Sequence, residues 1–209
     1  MKNPTVFILV TLLLSACSPR EKVSSDYTGS WAQVEDILAS VNPPEFPDRD
    51  FSILDYGAKA GGLVDSRAAI MDAIAACHDA GGGRVVIPAG TYLCDGPIHL
   101  ESNIDFHLSK DSEIRFGSNY SDYLPAVLTR WEGTRVYGYS PFVYAFQKTN
   151  VALTGTGTLD GQAKETWAKW TDGHDADKEL NREMNQTRVP LEERQFGEGR
   201  KLRPPMIQF

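Results

Sequence analysis

"NVALTGTGTLDGQ", Asn150–Gln162, alternates short apolar side chains with threonines and then bends at an aspartate followed by glycine. A period of two marks a strand with one covered face. Such a run is too short to stand alone, so it needs neighbours. One lies earlier: "SNIDFHLS", residues 102–109, repeats the order polar, Asn, aliphatic, any, apolar, which places Asn103 and Asn150 at equivalent bends. "RVVIP", "TYLCD", "IHLE" and "EIRFG" are further strand-sized runs, separated by Gly, Pro, Asn, Asp or Ser. No helix interrupts them, which argues against a doubly wound sheet. Spacing this short suits an antiparallel sandwich or a parallel β-helix. The echo between the two asparagines favours the β-helix. So does a single helix before the strands, where an open β-helix end has to be covered.

That helix is predicted over residues 66–80. Asp65 or Ser66 caps its start, Ala69, Ile70, Ala73, Ile74 and Cys77 recur at helical spacing, and Gly81 stops it. Residues 163–205 read as a polar excursion from the strands, charged and without strand alternation. "MIQF" then begins another strand-like run that ends at Phe209, as if the fold were cut in its middle.

The chain has 209 residues and a formal net charge of −7, which argues against a nucleic-acid surface. An anionic substrate would need a local cluster of Arg or Lys. Near the start, "VFILVTLLL" is too short to span a membrane, and "LSAC" (Leu14 to Cys17) resembles the lipobox of bacterial lipoproteins. That resemblance implies a signal peptide over residues 1–16 and a diacylated Cys17. The protein would then be exported and lipid-anchored to a bacterial membrane, on its periplasmic face or at the cell surface. Residues 17–50 form a tether, with a short helix within "YTGSWAQVEDILASV" and a proline-rich linker after it. The domain occupies residues 51–209. An exported protein could pair Cys77 with Cys94, but two buried free thiols is the favoured reading.

Chemistry-bearing groups are sparse. Gly81 to Gly83 follow a helix and precede a strand, the reverse of a phosphate-binding loop. Asp172, His174, Asp175 and Asp177 lack the spacing of a calcium loop, so neither metal nor cofactor is expected. His99 and His107 sit on strands and are expected to face solvent. Glycoside cleavage needs two carboxylates. The candidates, Glu132 in "RWEG" and Asp160 in "TLDG", each lack a visible partner, and Asp160 before Gly161 is a turn former.

"FSILDYGAKAGGLVDSRAAIMDAIAACHDAGGGRVVIPAGTYLC", residues 51–94, resembles the start of the pectin-lyase-like superfamily through Asp55, Gly57, Ala58, Asp65, Gly82, Gly83, Pro88 and Gly90. "RWEG", "YSPFVYAF", "NVALTGTGTLDGQ" and "LRPPMIQF" together resemble glycoside hydrolase family 28, the polygalacturonases and rhamnogalacturonan hydrolases. The resemblance implies an all-β, right-handed parallel β-helix with one capping α-helix. It also implies inverting hydrolysis of pectin-type polyuronides by three aspartates. Their Asn-Thr-Asp and Asp-Asp motifs, with Gly-His-Gly and Arg-x-Lys, follow the "LRPPMIQF" strand in that family and are missing here. The chain thus reads as an N-terminal portion with no catalytic residue of its own, inactive and poorly soluble alone, and monomeric at full length. For substrate binding the resemblance implies a cleft where Arg130 meets a uronate, helped by Arg200, Lys201 and Arg203. Trp131 and Trp167 or Trp170 would stack on sugar. The alternatives are a lyase or epimerase on the same fold, and a non-catalytic β-helix lipoprotein that binds glycan.

Overall fold

The computed structural model describes residues 31, 33–164, 166–170 and 173–209. Cys17 and the signal segment lie outside them. The chain divides into two units, Met1–Pro43 and Pro44–Phe209. In the first, helix α1 (Val34–Ser40) buries none of its residues and matches the short helix expected in the tether.

The second unit winds as a coil. Strand β1 (Asp50–Ser52) begins it and helix α2 (Arg67–Asp79) covers its open end. The next coil consists of β2 (Gly83–Ile87), β3 (Gly90–Cys94) and β4 (Ile98–His99). A third runs through β5 (Ile104–Leu108) and β6 (Ser112–Phe116), makes a hairpin of β7 (Val127–Trp131) and β8 (Thr134–Gly138), and closes on β9 (Val143–Tyr144). The fourth has β10 (Val151–Gly155) and β11 (Thr158–Asp160), then helix α3 (His174–Gln186), β12 (Gln195–Phe196) and finally β13 (Ile207–Gln208). Stacked coils give three parallel faces: β1-β2-β5-β10, β3-β6-β11 and β4-β9-β13. This is the parallel β-helix that the Asn103 and Asn150 echo and the single preceding helix favoured.

Register explains the core. Val85, Phe106 and Leu153 stack on the first face, and Tyr92, Ile114 and Leu159 on the second. Val85, Phe106, Tyr92 and Ile114 are fully buried. The bend before the first face is read off the same register. Asn103 (φ 65°) and Asn150 (φ 55°) both adopt the left-handed conformation. Asn150 Nδ2 donates to Asn103 Oδ1 at 3.2 Å and to the Glu45 carbonyl at 2.8 Å. One coil earlier the position is Gly82 (φ 105°), where a Cβ would come within 2.6 Å of Asn103.

Helix α2 buries Ala69, Ile70, Ala73, Ile74 and Cys77, as its spacing predicted. Asp65 Oδ1 accepts from the Arg67 N–H at 2.9 Å, whereas Ser66 Oγ turns to Lys59 and Val64. Cys77 and Cys94 are both buried and free, and burial pushes the Cys77 thiol up to about 11.

Between the second and third faces every coil leaves an insert at the same corner. It is short in the second coil (95–97), longer in the third (117–142) and longest in the fourth (161–206). The polar excursion expected over 163–205 carries secondary structure of its own. The segment contains a helix that buries Asp177 and Asn181, and a strand that joins the hairpin.

Candidate functional site: a roofed cleft on the third face

The two long inserts build a roof together. Strands β7 and β8 pair antiparallel through a tight turn, Glu132 (φ 44°) and Gly133 (φ 85°), both left-handed as a primed hairpin turn requires. Strand β12 adds parallel to β8, with Gln195 beside Tyr137 and Phe196 beside Gly138. Val136, Phe196 and Leu202 form a second small core under Trp131, Leu180 and Met184.

The hairpin is fastened to the third face. Thr129 Oγ1 donates to Gln208 Oε1 at 2.6 Å, and Tyr144 Oη donates to the Leu128 carbonyl at 2.6 Å. In register, the outward side chains His99, Tyr144 and Gln208 form a row next to it. A cavity of about 430 Å³ opens here, lined by Leu128, Arg130, Arg135, Phe146, Gln147 and Gln208. Arg130 and Arg135 are direct cross-strand partners, so both guanidinium groups leave the hairpin on one side. Neither makes an ion pair among the described residues. The Phe146 ring, 42% exposed, lies parallel to that of Tyr144 with centroids 6.2 Å apart.

His99, expected to face solvent, is half-buried. Its Nε2 is 2.9 Å from Ser140 Oγ, and its ring meets the Tyr144 ring edge-on at 5.2 Å. Burial, reinforced by the charge of Arg67, lowers its pKa and favours the neutral ring. His107 reaches Thr154 Oγ1 at 2.7 Å on the first face, away from the cleft.

The sequence candidates separate. Arg130 lines the cleft. Trp131, the next residue on a strand, points to the other side. It borders a second cavity of about 480 Å³ with Phe142, Leu159, Trp167, Arg203 and Met206, and its ring packs edge-on against His174 at 5.4 Å. Trp170 is corrected: only 5% exposed, it is clamped by Tyr120, Trp167 and Tyr139 at 4.6, 4.9 and 5.3 Å, with the Lys201 ammonium 5.1 Å from its ring. No ring face of Trp170 remains for a sugar, while Trp167, 3% exposed, borders the second cavity. Arg200 pairs with the buried Asp177 at 3.1 Å, and Arg203 donates to His174 Nε2 at 3.3 Å. These cations hold the roof, and the second cleft arginine is Arg135. The stretch "TRWEGTRV" carried the signal for it, because a two-residue turn at Glu132-Gly133 sets Arg130 opposite Arg135.

Glu132 and Asp160 do not converge. Glu132 sits at the exposed hairpin turn, 3.9 Å from Arg182. Asp160 is a bend residue: its Oδ1 accepts from the Gln162 N–H at 2.9 Å, and Arg115 stands 3.9 Å away. Among the described residues no group of His, Cys, Asp or Glu could hold a metal ion, and no helix is long and apolar enough to cross a membrane.

Comparison with known proteins gives the fold a family. Residues 51–107 match the model of "Rhamnogalacturonase A/epimerase, pectate lyase-like". The crystal structure of a hyperthermoactive exopolygalacturonase from Thermotoga maritima is 43% identical, with a TM-score of 0.78 over 84% of this chain and 41% of that one. The fold is that of the pectin-lyase-like β-helices. Other similar proteins carry different functions. Plasmin and fibronectin-binding protein A of Streptococcus pneumoniae is 38% identical over 91 residues, 43% of this chain and 13% of that protein. A mannuronan C-5 epimerase of Azotobacter vinelandii is 32% identical over 129 residues, 60% of this chain and 9% of that protein. The chain spans less than half the length of each of these relatives.

Proposed function

We propose that this pectin-lyase-like chain forms the opening coils and roof of an exported glycoside hydrolase acting on pectin-type polyuronides by polygalacturonase-type hydrolysis. The carrying observation is the Arg130–Arg135 pair. Two like charges placed directly opposite on a hairpin weaken it, and a uronate carboxylate between them removes the repulsion while accepting the paired N–H bonds that guanidinium offers. The exposed Phe146 ring beside them supplies an apolar surface for a sugar. The 43% identity to an exopolygalacturonase supports hydrolysis as the reaction. A hydrolase needs a proton donor and a second carboxylate to activate water. With Glu132 and Asp160 engaged elsewhere, this reading assigns both roles to other segments of a longer protein.

The test uses polygalacturonate. The complete protein is expected to release reducing ends without unsaturated product, and the 209-residue chain alone to bind without cleaving. Unsaturated product absorbing in the ultraviolet would overturn hydrolysis in favour of a lyase. An epimerase is the second reading, supported by the epimerase in the matched family description and by the mannuronan relative. It predicts inverted C-5 centres, through loss and return of the C-5 proton, with no glycosidic bond cleaved. Lipid anchoring at Cys17 is proposed with the function: fatty-acid label is expected on the protein and lost in Cys17→Ser.

A further inference from the structure

Arg135 borders two cavities. On one side is the cleft. On the other a pocket of about 340 Å³ is lined by Gly133, Thr134, Arg135, Asn185, Leu191 and Arg194. That volume falls in the range of small-ligand sites. Its walls are mostly polar, and two of its six lining residues carry guanidinium groups.

Arg194 is held ready. Its Nε donates to the Val189 carbonyl at 2.8 Å and its Nη1 to Asn185 Oδ1 at 3.3 Å, while its own carbonyl accepts from the Tyr137 N–H at 2.9 Å. Its Nη2 has no partner among the described residues. The nearby carboxylates do not neutralise the pair. Glu132 faces Arg182, and Glu192 and Glu193 stand exposed on the short turn Leu191–Glu193. Neither Arg135 nor Arg194 makes an ion pair among the described residues. In a chain of net charge −7, three such arginines, Arg130 and Arg135 lining the cleft and Arg135 and Arg194 lining the pocket, form a local cationic cluster.

We propose that this pocket is a second anionic-sugar site. It takes a uronate carboxylate between Arg135 and Arg194, so that one polyuronide chain is gripped in two adjoining pockets with Arg135 shared. The ligand class rests on the function proposed above; the site rests on its own geometry. A polymer with a carboxylate on every residue engages both pockets, whereas a galacturonate dimer fills the cleft only.

Calorimetric titration of the purified protein with galacturonate dimer and with polygalacturonate separates the two. Arg194→Ala is expected to weaken polygalacturonate binding about tenfold, the loss of one charged hydrogen-bonded contact, and to leave the dimer unchanged. Arg130→Ala is expected to weaken both. Because Arg194 also supports Val189, the unsubstituted protein is titrated in parallel while the Arg Nε–H resonances are followed by NMR. The Arg194 signal moves with polygalacturonate and not with the dimer. The proposal is overturned if that signal stays still while the Arg130 signal moves, or if Arg194→Ala binds polygalacturonate normally. An equal loss with uncharged galactan would overturn it too. Dimer binding untouched by Arg130→Ala would instead remove the cleft reading and leave this pocket standing.

Discussion

At the scale of single residues, function and stability oppose each other at Arg135. Relieving the cross-strand repulsion with Arg135→Gln is expected to raise stability by about 0.5 kcal/mol and to weaken oligogalacturonate binding, read from urea midpoints and titration. A loss of stability would mean that the pair is compensated in some other way. Asn150 has the opposite character, since its left-handed backbone and its two bonds both hold the coil. Asn150→Ala is expected to cost about 2 kcal/mol and Asn150→Gly less, because glycine keeps the conformation and loses only the bonds. His99 sets a pH dependence. Its pKa lies below the usual 6.5 in the folded protein. The unfolded chain therefore takes up a proton at a pH where the folded one does not, and stability falls as pH drops through 6.5 towards the lowered folded value. Urea midpoints measured from about pH 8 to pH 5 should fall less steeply in His99→Gln.

Among the elements, α2 does most to protect the coil, and its role was legible. Ile70 and Ile74 share their buried face with the small residues Ala69, Ala73 and Cys77, so the helix lies close on the first coil. Ile74→Ala is expected to cost about 3 kcal/mol by leaving a cavity at the capped end, checked by chemical denaturation. The bounds of α2 and the strands flanking Gly90 and Asn103 followed from apolar periodicity and turn residues. Helix α3 did not, because the residues it buries, Asp177 and Asn181, are polar. Asp177 is satisfied by Arg200 and by the Lys201 N–H, partners more than twenty positions away that no local pattern displays. The hairpin was missed for a related reason. Its turn residue Glu132 has a carboxylate that invites a catalytic reading, while its backbone supplies the structural fact. Trp170 misled similarly, since a tryptophan in a charged segment reads as a sugar platform until Tyr120, Tyr139 and Trp167 are seen around it.

The whole second unit has two cores of unequal depth. The large one fills the coils, and the small one, around Val136, Phe196 and Leu202, fills the roof. Elements with few buried contacts open first. Phe196→Ala is therefore expected to speed hydrogen exchange across β7, β8 and α3 while the amides of β2 and β5 keep their protection. Equal acceleration everywhere would mean that roof and coils open as one. Because every insert departs from the same corner, the coil acts as a ruler. Neighbouring strands lie about 4.8 Å apart, so gaining or losing a whole coil would slide the hairpin and its arginines along the axis by one such division. The position of the roof is in that sense digital: it moves in whole strand spacings.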